Sequence, residues 1–170
     1  MHLFLYGKSG AGKSTAIRRA LKETGLTPQG FCSVKRDGGL YLCPAADPNC
    51  SPGEQVARFF PEGITADPAA FDRLGIGYLA GLTPDRPVLM DELGTLEQDA
   101  CAFRSRVLQV LDGPCAVLGV IKPPEDRYLT SWLAEIYRHP RVQLLPVSQA
   151  ARDSAFTAAA SFLAQFRSQK

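Results

Sequence analysis

The chain has 170 residues, 45% of them apolar and 21% charged, the length of one domain of roughly 100–200 residues. That composition excludes disorder, collagen and coiled coil as descriptions of the whole. A formal net charge of +2 is too small to argue for nucleic acid or an anionic membrane as partner.

In chain order, His2–Tyr6 (HLFLY) is a short apolar run bounded by Gly7, the pattern of a strand buried on both faces. It lacks a basic segment before it and is too short to span a bilayer, so it reads as neither signal peptide nor membrane span, and a cytoplasmic location is expected. Ser14–Thr24 carries Ala16, Ile17, Ala20 and Leu21 at helical spacing, with Gly25 as the stop. Phe31–Val34 and Leu40–Cys43 flank Lys35–Gly39, the pattern of a β-hairpin, and the Gly38-Gly39 pair is expected to supply the positive φ of its turn. Pro44 to Ala66 shows no sustained period and predicts a long loop with one helical turn around Gln55–Phe59.

Asp67-Pro68 predicts a cap and first helical position for a helix through about Leu79. Val88-Leu89-Met90 predicts a buried strand ending in Asp91-Glu92. Asp99–Leu111 predicts a helix, Ala116–Ile121 a buried strand, Tyr128–Tyr137 a helix, Val142–Val147 a last strand and Ser154–Arg167 a last helix. Strands alternating with helices mean right-handed crossovers onto a mainly parallel sheet. The expected fold class is three-layer α/β, with helices on both faces and a β-hairpin and loop insertion after the first helix. Residues 1–170 form one domain in this reading. The five cysteines, Cys32, Cys43, Cys50, Cys101 and Cys115, are an odd set with no CxxC pair. They predict free thiols in a reducing compartment, and their spacing fits no usual zinc pattern.

The strongest chemical signal is Gly7-Lys8-Ser9-Gly10-Ala11-Gly12-Lys13-Ser14, a complete G-x-x-x-x-G-K-[ST] between a buried strand and an amphipathic helix. Small residues let successive N–H groups curl around a phosphate, and the helix N-terminus adds its positive end. Lys13 is placed to reach the β- and γ-phosphates, Ser14 to bind magnesium and Thr15 to meet the α-phosphate. Asp91, at the carboxyl end of an apolar strand, is placed to hold the magnesium. Glu92 next to it can orient and deprotonate a water aimed at the γ-phosphate. Arg36, on the hairpin with Lys35, is a candidate to neutralise developing charge. Glu97, six residues after Asp91, reads as an acid supporting the metal-facing carboxylate or as a helix-start charge, with the helix-start charge preferred; Arg104 and Arg106 read as a solvated helix face and Trp132 as core. Lys122 and Ser148 are candidates for the walls around the nucleobase. These residues support a magnesium-dependent triphosphatase, and they leave open a small-molecule or nucleotide kinase and a nucleotide-dependent switch or assembly factor. The partner expected in every case is a nucleoside triphosphate, without nucleic acid or membrane; a protein partner is not readable.

Beyond the P-loop, Gly30-Phe31 leading to Arg36-Asp37-Gly38-Gly39 resembles the G-F-Y-T…V-R-x-G-G of the small P-loop nucleoside-triphosphatase family. Val88–Glu97 (VLMDELGTLE) is similar to its V-I-D-E-I-G-K-M-E, and Phe71-Asp72-Arg73-Leu74 and Val117–Ile121 continue the likeness over nearly the whole chain. The resemblance implies a RecA-like P-loop domain that hydrolyses ATP, GTP and other nucleoside triphosphates to the diphosphate with Mg2+. Lys13 and Ser14 would take the phosphate and metal roles, Asp91 the metal and Glu92 the water. The sequence departs from the family at Thr95, where the family has lysine, and at Cys32-Ser33, where it has Tyr-Thr. The stretch Pro44–Ala66 has no counterpart.

Overall fold

The computed structural model describes residues 1–49, 54–124 and 130–166. Cys50, Arg127, the first residues of the helix read as Tyr128–Tyr137 and the end of the one read as Ser154–Arg167 lie outside the described residues. In chain order the elements are β1 (His2–Tyr6), α1 (Lys13–Thr24), β2 (Gln29–Arg36), β3 (Gly39–Pro44), β4 (Glu54–Phe60), β5 (Gly63–Ala66) and α2 (Pro68–Tyr78). They continue with β6 (Val88–Leu93), α3 (Cys101–Asp112), β7 (Val117–Ile121), α4 (Ser131–Arg138), β8 (Val142–Pro146) and α5 (Arg152–Ala164).

All eight strands join one sheet in the order β5-β4-β3-β2-β6-β7-β1-β8. From β2 to β8 the neighbours are parallel; β3, β4 and β5 extend the sheet as antiparallel strands. Alternate residues of a strand face opposite sides, and β1 shows the consequence. Phe4 joins a core shared with α2, α3 and α4, while Leu3 and Leu5 join a core shared with α1 and α5. Helices therefore cover both faces of the sheet, the three-layer α/β arrangement expected. Among the described residues, no helix is long and apolar enough to cross a membrane.

Local chemistry fixes the ends. The Asp67 side chain accepts from the Ala70 N–H at 3.0 Å, and Pro68 takes the first position of α2. There the missing N–H costs nothing and the ring presets φ. Gly25 closes α1 at φ 68°, a conformation glycine reaches without penalty.

Four expectations need correction. The stretch Pro44–Ala66 holds β4 and β5, and Gln55–Phe59 is strand rather than a helical turn. Period two is hidden there because the β3–β4 register shifts between Leu40 and Tyr41, so the neighbours Val56 and Ala57 are both buried. In the hairpin turn the positive φ values belong to Asp37 (48°) and Gly38 (71°), a two-residue turn matched to strand twist. Gly39 is already paired with Arg36, and a Cβ there would lie 1.9 Å from Gln55 Nε2. Cys32, Cys101 and Cys115 are free thiols, but Cys43 is disulfide-bonded; the approach of two thiols depends on tertiary geometry that spacing does not reveal. Arg106 is not simply solvated: it donates to the Leu79 carbonyl at 2.6 and 3.0 Å, tying α3 to the end of α2.

Candidate active site

The loop between β1 and α1 turns on Gly7, Gly10 and Gly12, at φ 145°, 76° and 98°. At Gly7 a side chain is also sterically barred, since a Cβ would lie 2.3 Å from the Val147 carbonyl oxygen. Lys13 opens α1 and bends back over the loop, its Nζ donating to the carbonyls of Gly7 (2.8 Å) and Lys8 (2.9 Å). It is only 7% exposed, and burial lowers its pKa. Arg152 braces the loop from the start of α5, donating to the carbonyls of Gly10 and Ala11 at 3.3 Å.

Ser14, the next residue on α1, donates from Oγ to Asp91 Oδ1 at 2.9 Å. Asp91 ends the apolar part of β6 and is 4% exposed. Burial pushes its carboxyl pKa up, against the opposing Ser14 hydrogen bond and the Arg18 charge. In an unbroken strand Asp91 and Glu92 would face opposite sides. The β6–β7 register shifts between Asp91 and Leu93, and an extra residue of this kind re-aims side chains at the rims of sheets. Both carboxylates accordingly line one cavity with Lys13 and Ser14.

That cavity, about 430 Å³, contains further groups. Lys122, the residue after β7, sets its Nζ 3.0 Å from Glu92 Oε1. Its backbone is held on both sides, its N–H donating to Leu93 O at 3.0 Å and its carbonyl accepting from the Tyr137 hydroxyl. Gly94 leaves space for its stem, since a Cβ there would come within 3.3 Å of Lys122 Cγ. Glu97 is buried on the same wall and accepts from the Gly94 N–H at 2.5 Å. Burial pushes its carboxyl up to about 7. It is not a helix-start charge: α3 begins at Cys101, four residues on. Trp132 is buried, as expected, and its indole N–H donates to the Gly94 carbonyl at 3.2 Å.

The structure thus brings Lys13, Ser14, Asp91 and Glu92 together, with Ser9, Gly10, Gly12 and Thr15 along the same cavity. Gly7, Lys8 and Ala11 shape the loop through their backbone. Arg36 does not line the cavity; its guanidinium lies 4.5 Å from the centre of the Tyr41 ring. The reason is strand alternation: Ser33 and Lys35 share the cavity face of β2, which puts Arg36 on the other. Ser148 does not line it either. Lys122 lines it beside the two carboxylates. Its position just past a buried central strand, at the sheet edge where ligands collect, was the signal available in the sequence.

A hydroxyl and a buried carboxylate oxygen 2.9 Å apart form a hard-oxygen pair suited to magnesium. Among the described residues no group of three or more His, Cys, Asp or Glu could hold a metal. Magnesium fits this arrangement, since it is usually held by one or two protein oxygens plus substrate phosphates.

The family model described as NTPase matches residues 66–159, more than half of the chain. The cancer-related nucleoside-triphosphatase homolog of Mus musculus is 29% identical over 174 residues, covering 90% of this chain and 91% of that protein. Two solved structures share the fold at 22% identity. THEP1 from the hyperthermophile Aquifex aeolicus has a TM-score of 0.76, with 96% of this chain and 99% of that one covered. A human cancer-related nucleoside triphosphatase has a TM-score of 0.75, with 96% and 97% covered. The chain therefore belongs to the NTPase family, the nucleoside-triphosphate hydrolases.

Proposed function

We propose that the protein hydrolyses nucleoside 5′-triphosphates, ATP and GTP among them, to the diphosphate and phosphate with Mg2+. The observation that carries this reading is the convergence of two carboxylates, Asp91 and Glu92, on the cavity that also contains Lys13 and Ser14. The loop N–H groups and the start of α1 bind the phosphate chain. Lys13 exchanges its two loop carbonyls for β- and γ-phosphate oxygens, and Thr15 donates to the α-phosphate. Ser14 and Asp91 would hold the magnesium, which would supply positive charge to the triphosphate.

Glu92 orients a water toward the γ-phosphorus and accepts its proton. Lys122 holds the Glu92 carboxylate in place through their 3.0 Å contact and adds positive charge beside the phosphates. Arg36, stacked on Tyr41, takes no part in this assignment; Lys122 occupies the position the reaction needs. The test is binding and turnover of ATP by Lys13→Ala, with and without magnesium. Loss of both in the variant, and loss of turnover in wild type on chelation, is the expected result. Wild-type affinity and turnover in Lys13→Ala would refute the P-loop assignment.

A further inference from the structure

A carboxylic acid is rarely shut away from water without a partner that makes use of it. Glu97 is 4% exposed, on the wall of the catalytic cavity, and its partner is backbone. The Gly94 N–H donates to Glu97 Oε1 at 2.5 Å and closes the turn 94–97, directly after β6. From the other side the Trp132 indole of α4 donates to the Gly94 carbonyl at 3.2 Å. Both polar groups of this one residue are therefore held.

The turn carries the end of the strand on which Glu92 sits. Only Leu93 separates Glu92 from Gly94, and the Leu93 carbonyl accepts from the Lys122 N–H at 3.0 Å. Lys122 sets its Nζ 3.0 Å from Glu92 Oε1. Its stem lies over Gly94, where a Cβ would come within 3.3 Å of Lys122 Cγ and 3.9 Å of Glu97 Oε2. Gly94 is thus where the buried acid, the lysine stem and the strand end meet. The phosphate contacts lie elsewhere, on the loop after β1 and the start of α1.

We propose that Glu97 is a positioning residue for the hydrolytic base: its ionised carboxylate holds the Gly94 turn in the form that aims Glu92 at the water, and its protonation slackens that hold. The inference rests on Glu92 acting as the base. An ionised acceptor binds an N–H about twice as strongly as a neutral one, and a small misplacement of a catalytic group lowers turnover steeply. Two charged groups act directly on Glu97. Glu92 on β6 disfavours its negative charge, and Lys122 after β7 favours it. Lys13 of α1 and Asp91 of β6 line the same cavity. Helix α4 meets the turn through the neutral Trp132 and Tyr137, and Arg104 of α3 donates to the Gln98 carbonyl. Burial outweighs the Lys122 attraction and pushes the carboxyl up to about 7. The grip on the turn therefore changes across the neutral range, where an exposed glutamate would already be ionised. Ionisation destabilises the fold and activates the enzyme.

The test uses the full chain with ATP and Mg2+. It measures kcat and KM from about pH 5.5 to about pH 9, a range that brackets the shifted carboxyl, for wild type, Glu97→Gln and Glu97→Ala. Magnesium-nucleotide affinity is measured alongside. Wild-type kcat is expected to rise about tenfold through the neutral range, the difference between a charged and a neutral hydrogen bond. Glu97→Gln keeps an acceptor for the Gly94 N–H but does not titrate, so its kcat should stay near the low-pH value of wild type and lack that rise. Glu97→Ala loses the acceptor and should fall about tenfold further. Affinity should be unchanged in both variants, which also reports that they are folded. A rise of the same size and midpoint in Glu97→Gln would overturn the proposal and leave hydrolysis by Glu92 standing. Parallel loss of affinity and turnover would reduce Glu97 to a structural residue and overturn it too. Absence of turnover in wild type at every pH would overturn the hydrolytic reading itself.

Discussion

Single residues show how the fold manages buried polar groups. His2 is fully buried in β1; its Nε2 lies 2.8 Å from the Leu111 carbonyl, and its Nδ1 accepts from the Val117 N–H at 3.2 Å. With one nitrogen donating and the other accepting, the neutral ring is satisfied. Burial lowers its pKa from 6.5 to about 4, against the Leu111 hydrogen bond. Between those values the unfolded chain binds the extra proton, so this contribution to stability is complete above pH 6.5 and fades as the pH falls toward 4. Glu97, raised to about 7 from 4.5, works in the opposite sense, its contribution fading as the pH rises through that range. A comparison with His2→Gln isolates the histidine: the stability advantage of wild type should shrink by about 2 kcal/mol from pH 7.5 to pH 5, measured by chemical denaturation. An advantage independent of pH would contradict the assignment. Lys122 gives a second prediction at this scale. Lys122→Met should lower kcat on the order of 10²-fold, the effect of a misplaced catalytic group, and Lys122→Arg should restore part of it. Unchanged kcat in the methionine variant would remove Lys122 from the mechanism.

At the scale of elements, α2 and α3 carry a sharper test. Gly75 lies where a Cβ would come 2.1 Å from Phe103 Cδ2, in a ring that is itself buried, whereas a Cβ at Gly77 meets nothing within 4 Å. The helix propensity of alanine favours both replacements by about 1 kcal/mol, but overpacking costs about 1–3 kcal/mol. Gly77→Ala should therefore raise the melting temperature and Gly75→Ala lower it; a rise in both would show that Phe103 gives way freely. The two helices are also joined through Asp72, which accepts from the Phe103 N–H at 2.7 Å and satisfies a donor in the first turn of α3. Elements with strong local signals were legible in the sequence. The Asp67-Pro68 start of α2, the glycine-rich loop after β1 and the mostly apolar strands β1 and β7 owe their character to neighbours in the chain. Strands β4 and β5 were not legible, because their partners are set by a hairpin and a register shift. The neighbours Asp91 and Glu92 could be read as acids at a strand end. Their entry into one cavity depends on the β6–β7 register, which no local pattern encodes. Glu97 and Lys122 become site residues only through the turn that Gly94 and Trp132 hold.

Across the whole molecule, the parallel part of the sheet, running β2-β6-β7-β1-β8, carries the glycine-rich loop after β1, the two carboxylates and Lys122 at one edge. The antiparallel strands β3 to β5 add Leu40, Phe59 and Ile64 to the wall of the same cavity. The matched family model begins at residue 66, after both the phosphate loop and the antiparallel extension, while the mouse relative aligns over 90% of the chain. Membership in the NTPase family thus comes from the region of Asp91, Glu92 and Lys122, and the N-terminal loop agrees with it independently. The most direct measurement is phosphate release from ATP, GTP, CTP and UTP with magnesium by wild type and by Glu92→Gln, alongside magnesium-nucleotide affinity. Turnover of several nucleotides by wild type is predicted, with retained affinity and a loss on the order of 10²–10⁴-fold in the variant, the range for a positioned base. Hydrolysis by Glu92→Gln within a factor of a few of wild type would contradict the account and place the base elsewhere.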